Sequence, residues 1–147
     1  DVVAEIDGRY RTLADRDHRA VGGLSMGGFG ALSLAMVYPA TFGTAGAHSP
    51  ALWSLPGPAF FGDATYFAQH DPVQLLRRRP ATARGLKLWL DVAQGDPLDQ
   101  GRVEALHQQL LQDGVPHQWH EWPGGHSAAY WGAHMDDYLR FYDAALR

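Results

Sequence analysis

The sequence predicts an α/β protein, a parallel sheet with helices on both faces, and three observations predict it. Short apolar runs alternate with segments of helical period along the chain, the order that builds parallel strands joined by crossover helices. The 147 residues are 46% hydrophobic and 19% charged, the size and balance of one globular domain over residues 1–147. The stretch GGLSMGGFGAL (22–32) packs four glycines and one serine into its first seven residues, where an apolar run gives way to a helical one.

The elements follow in order. VVAEIDGRYRTL (2–13) sets Val2, Val3, Ile6, Tyr10 and Leu13 close to helical spacing. DRDH (15–18) reads as a polar connection, and RAVGGLS (19–25) as a short buried strand. From Met26, residues Phe29, Leu32, Leu34, Ala35 and Met36 fit a buried helix that Pro39 ends. FGTAGAHSPALW (42–53) reads as a second buried strand, spilling into a loop at His48. SLPGPAFFGD (54–63) is rich in Pro and Gly and reads as irregular, with short helices expected at 64–70 and 72–79. KLWLDVA (87–93) is a third strand. DQGRVEALHQQLLQDG (99–114) is an amphipathic helix with Val103, Leu106, Leu110 and Leu111 on one face and Gly114 as its C-cap. HQWHEWP (117–123) alternates, with Trp119 opposite His120 and Trp122, and reads as a fourth strand. Residues 130–146 form a final amphipathic helix.

Composition excludes several classes of function. A net charge of −4 gives no electrostatic case for nucleic acid, and Arg77-Arg78-Arg79 reads as a solvated helix end. The absence of cysteine excludes disulfides, thiolate metal sites and a cysteine nucleophile. It leaves the compartment open between cytoplasmic and secreted. No apolar run approaches the roughly 20 residues that span a bilayer.

The glycine-rich stretch carries the chemistry. Each interior helix glycine costs about 1 kcal/mol relative to Ala, so this density marks a sharp turn. Gly23-Leu24-Ser25-Met26-Gly27 is a G-x-S-x-G motif between a predicted strand and a predicted helix, which pushes Ser25 out as a nucleophile. The Met26 backbone N–H, opening the helix, faces the same point and suits an oxyanion. A serine needs a base, and the base a third group, expected later in the chain in the order acid, then histidine. His126 follows Pro-Gly-Gly directly after the fourth strand, at the sheet edge where Ser25 should lie. Asp91, Asp96 and Asp99 are the candidate acids after the third strand. Asp91 still lies in the strand and could tie down a neighbouring loop, Asp99 looks like a helix N-cap, and Asp96 in the loop is favoured. A metal reading of His117, His120 and His126 is disfavoured, because residues three apart on a strand face opposite ways. No metal and no cofactor is expected.

The segment GRYRTLADRDHRAVGGLSMGGFGALSLAMVYPATFGTAGAHSPALW strongly resembles the putative-esterase (esterase D-like) family of α/β-hydrolases. The resemblance covers essentially the whole chain. It implies a serine carboxylic-ester hydrolase working through an acyl-enzyme, with the family's nucleophile on Ser25, its acid on Asp96 and its histidine on His126. Glycine stands directly before Asp96, not three residues before it as in the family's usual loop, so Asp99 stays open as the acid. Complete members carry further strands, and a loop with a second oxyanion amide, ahead of the segment that begins here. The expectation is therefore the C-terminal part of an α/β-hydrolase fold, about four parallel strands with flanking helices, lacking the N-terminal strands. Acyl transfer to a sugar or alcohol, or an inactive hydrolase-fold fragment, are the alternatives. Leu24, His48, Trp53, Phe60, Phe61, Tyr130 and Trp131 are candidates to line a pocket for a small-molecule or carbohydrate-linked ester. No nucleic acid and no membrane span is expected, and the oligomeric state stays open.

Overall fold

A computed structural model describes residues 2–147. Four strands form one parallel sheet in the order β1-β2-β3-β4: β1 Ala20–Leu24, β2 Thr44–His48, β3 Lys87–Gln94 and β4 Gln118–Pro123. The helices are α1 Val2–Arg9, α2 Met26–Val37, α3 Ala64–His70, α4 Pro72–Arg78, α5 Pro80–Arg84, α6 Gln100–Gln112, α7 Ala128–Ala133 and α8 Met135–Ala145.

The sheet separates two apolar layers. Along β3, Leu88, Leu90 and Val92 point into a core with Phe29, Leu32 and Met36 of α2, Leu75 and Leu76 of α4, and Val103, Leu106 and Leu110 of α6. Each such side chain contributes about 1.5–3 kcal/mol when fully buried. Between them, Trp89 points to the other face and packs with Tyr138 and Phe141 of α8. Period-two alternation on one strand therefore feeds both layers.

Several expected boundaries shift, for identifiable reasons. The first helix stops at Arg9 and buries no residue. Tyr10 and Leu13 are exposed, so its apolar spacing finds no core. The second strand begins at Thr44, later than Phe42, and gives way to a loop at His48 as expected, where Ser49 takes φ 44° and turns the chain out of the sheet. Residues 59–61 form a single 3-10 turn inside the irregular segment, and α5, unexpected from the sequence, begins at Pro80. In α6, Val103, Leu106 and Leu110 are buried but Leu111 is exposed. The helix closes on Gly114 at φ 62°, with Val115 N–H bonding Leu110 C=O and Gly114 N–H bonding Leu111 C=O, a Schellman closure. The expected single tail helix is two helices. They part at His134, whose ring stacks on Trp122 at 3.9 Å, while Ser127 caps α7 through the Tyr130 N–H.

No helix among the described residues is long and apolar enough to cross a membrane.

Candidate active site

The site is built at the C-terminal edge of the sheet from three connections. The first is the β1–α2 turn. Ser25 sits at φ 54° and ψ −117°, a conformation that non-glycine residues rarely hold, and this puts its side chain at the apex. The turn is held by Ser25 N–H donating to His48 C=O, and by Ser25 C=O accepting from Gly28, Phe29 and Ala51 N–H. A Cβ on Gly23 would lie 2.5 Å from the Gly27 carbonyl carbon, so strand and helix approach this closely only over glycine. Met26 opens α2, where a helix offers its N–H no i−4 carbonyl.

The second connection follows β3. The Asp96 side chain is fully buried, and its Oδ1 accepts from Leu98 N–H at 2.9 Å and Asp99 N–H at 3.3 Å. The local turn thus fixes the carboxyl group and leaves Oδ2 for a partner. That partner comes from the third connection, after β4. His126 Nδ1 lies 2.8 Å from Asp96 Oδ2, and Nε2 lies 2.8 Å from Ser25 Oγ. A carboxylate against Nδ1 places the ring proton there, which leaves the Nε2 lone pair facing the serine hydroxyl. Gly124 takes φ 150°, and a Cβ there would meet the Tyr130 ring at 2.7 Å, so glycine lets the loop fold back over α7 to present His126.

Asp99 stands next to this line. It occupies the N-cap position of α6, but its side chain caps nothing there. Its Oδ1 instead accepts from Leu52 N–H at 3.2 Å, and its Oδ2 lies 4.0 Å from His126 Nδ1. Burial, with the Asp96 charge adding to it, pushes the Asp99 carboxyl above the usual range. Asp96, Asp99 and His126 hold donor atoms within 4.8 Å of one another, but both ring nitrogens of His126 already have partners. The three histidines weighed as metal ligands go to different places. His117 pairs with His107 at 2.8 Å, and His120 lies between Trp89 and Trp122.

The expected lining residues divide. Trp131 meets the His126 ring edge-on at 5.0 Å. Trp53 borders a cavity of about 300 Å³ with Leu52, Leu55, Arg77 and Arg102. Leu24 is exposed and borders a different hollow of about 330 Å³, over β1 and α8. Phe60 packs with Trp53 and Phe61, and Phe61 packs also with Phe29 and Phe67 of the core. Two of these residues are buried, and His48 borders the hollow beside Leu24. His48 is 3% exposed, with Nδ1 on Asp91 at 2.9 Å and Nε2 on Tyr142 at 2.9 Å. Tyr130 is 4% exposed, and its hydroxyl donates to Asp91. Both turn inward because Asp91, wholly buried on β3, requires donors. It takes four, from His48 Nδ1, Trp89 Nε1, Tyr130 and Tyr138.

The profile of the putative-esterase family matches residues 1–142. The chain is 34% identical over 133 residues to the iron(III) salmochelin esterase of Escherichia coli, over 86% of this chain and 31% of that protein. It is 30% identical over 152 residues to Esterase Rv1288 of Mycobacterium tuberculosis, over 82% of this chain and 33% of the relative. The chain thus spans about a third of the length of the curated relatives it matches. Among solved structures, a ferulic acid esterase superposes with a TM-score of 0.81 at 26% identity, over 99% of this chain and 58% of its own. The four parallel strands and their helices are those of the α/β-hydrolase fold.

Proposed function

Because the chain belongs to the putative-esterase family, we propose that it carries the catalytic centre of a serine carboxylic-ester hydrolase, with Ser25 as nucleophile, His126 as general base and acid, and Asp96 as the residue that orients His126. The observation that carries this reading is one imidazole held between Ser25 Oγ and Asp96 Oδ2, at 2.8 Å on each side.

The steps follow from that geometry. Ser25 Oγ attacks the ester carbonyl carbon while His126 Nε2 takes the hydroxyl proton. The carbonyl oxygen becomes an oxyanion, to which the Met26 N–H donates. Asp96 keeps the Nδ1–H tautomer and stabilises the imidazolium. Collapse of the tetrahedral intermediate breaks the bond to the alcohol oxygen, which leaves with the proton from His126. The acyl group then sits on Ser25. Water attacks it, His126 takes the water's proton and returns it to Ser25 Oγ, and the carboxylic acid departs. The relatives named as salmochelin and ferulic acid esterases support a small-molecule ester as substrate.

The test is covalent labelling. The protein and its Ser25→Ala variant are exposed to a fluorophosphonate probe and the adduct is mapped by mass spectrometry. A single adduct on Ser25, absent from the variant, is the expected result. Labelling elsewhere, or none on a folded sample, would count against this centre.

A further inference from the structure

Within the proposed centre, two carboxylates face the same imidazole nitrogen. Asp96 Oδ2 bonds His126 Nδ1 at 2.8 Å, and Asp99 Oδ2 stands 4.0 Å from that atom. Neither carboxylate is solvated: the Asp96 side chain is 0% exposed and that of Asp99 is 7% exposed. Asp99 is not spent on its own helix. Its Oδ1 holds the Leu52 N–H, one residue beyond Ala51, whose N–H holds the Ser25 carbonyl. It therefore joins the loop that supports the serine turn to the histidine.

We propose that Asp99 is a second positioning carboxylate for His126, stabilising the imidazolium beside Asp96 and taking over its hydrogen bond when Asp96 is lost. The distances carry this. An opposite charge within about 4–6 Å favours the charged form of a group, and the weak screening of a buried site preserves the effect. To reach hydrogen-bond range, Asp99 Oδ2 needs to travel only from 4.0 Å to the 2.8 Å that Asp96 already holds. The charged groups that face Asp99 are Asp96 and His126, with Arg102 from the first turn of α6. Asp96 repels the Asp99 charge, whereas His126 and Arg102 attract it. Loss of the Asp96 charge therefore makes Asp99 a better anion at the moment it is needed.

This inference rests on the proposed Ser25–His126–Asp96 centre, and its test has one arm that needs no catalysis. In the first arm, fluorophosphonate labelling rates of Ser25 are compared as a function of pH for the parent, Asp96→Asn, Asp99→Asn and the double variant. Asparagine keeps an oxygen for the Leu52 N–H, so Asp99→Asn preserves the fold contact, and circular dichroism checks this. The double variant should label about tenfold or more slower than Asp96→Asn, one pK unit of lost interaction being a factor of ten. Asp99→Asn alone should move the acidic limb of the rate profile to lower pH. In the second arm, the Asp99 carboxyl carbon is titrated by NMR in the parent and in His126→Gln. Loss of the imidazolium should move its midpoint to higher pH.

A double variant as fast as Asp96→Asn, with the acidic limb unmoved, would overturn the proposal and leave the triad standing. If Ser25 does not label in the parent, the triad reading fails and the titration decides. An Asp99 midpoint unmoved by His126→Gln then overturns the coupling, and a raised one supports it.

Discussion

The hydroxyl of Tyr130 donates to Asp91 Oδ1 at 3.2 Å, and this bond ties the buried middle of β3 to the helix that follows His126. Tyr130 also packs against Gly124 in the loop that presents His126. One side chain thus links the interior carboxylate to the placement of the imidazole. Tyr130→Phe keeps the ring and its packing but removes one of four donors to Asp91. Leaving a buried acceptor short of a partner costs about 1–3 kcal/mol. The expected outcome is a lower urea midpoint at unchanged m-value, together with slower labelling of Ser25. An unchanged midpoint would mean that the hydroxyl adds nothing to the fold.

A second prediction separates two glycines of the same motif. A Cβ on Gly23 would sit 2.5 Å and 2.6 Å from the backbone carbonyl atoms of Gly27, whereas a Cβ on Gly27 meets nothing within 4 Å. Gly27 lies in the first turn of α2. Gly23→Ala should therefore destabilise by about 1–3 kcal/mol, as overpacking does, and distort the turn that presents Ser25. Gly27→Ala should stabilise by about 0.4–1 kcal/mol, because Ala restricts the unfolded chain and suits a helix. Thermal unfolding of the two variants side by side decides it, and equal effects would contradict the geometry.

These two predictions also show what the sequence could and could not reveal. Ser25 stood out because glycine density and the change from strand to helical period mark a turn locally. His126 stood out because Pro-Gly-Gly frees a loop just past a strand. The order of the strands across the sheet is a matter of pairing, whereas the four strands themselves followed from short apolar runs at 19–25, 42–53 and 87–93 and from the alternation of 117–123. The partners of Asp91 did not, because they depend on register: β2 and β3 pair so that His48 lies directly across from Asp91, and α7 and α8 bring Tyr130 and Tyr138 from 39 and 47 residues away. Nothing near His48 in the chain announces that its ring turns into the core. The break at His134 was hidden for the same reason, since the residue that stacks on it, Trp122, belongs to β4. Asp99 looked like a cap because its position is that of a cap, and only packing shows that its side chain crosses to Leu52.

The third prediction concerns alkaline pH. Tyr130, Tyr138 and Tyr142 all surround Asp91 and its partner His48. Burial, and next the Asp91 charge, raise the pKa of all three hydroxyls, pushing Tyr142 up to about 12 from an ordinary value of 10.0. Between these values the folded protein holds a proton that the unfolded chain has released. Stability from this source is complete below pH 10 and declines as pH rises toward 12, because the unfolded state binds fewer protons in that window. Each such tyrosine contributes a slope of about 1.4 kcal/mol per pH unit, so Tyr142 alone accounts for a loss on the order of 2–3 kcal/mol. Urea unfolding followed in steps from pH 8 to pH 12 should show a midpoint that is level at first and then falls steeply. Tyr142→Phe should start from a lower stability, because His48 Nε2 loses its partner, and should then fall less steeply. A parent midpoint that stays level through the window, or a variant that falls as steeply as the parent, would show that these hydroxyls are not held protonated by the fold.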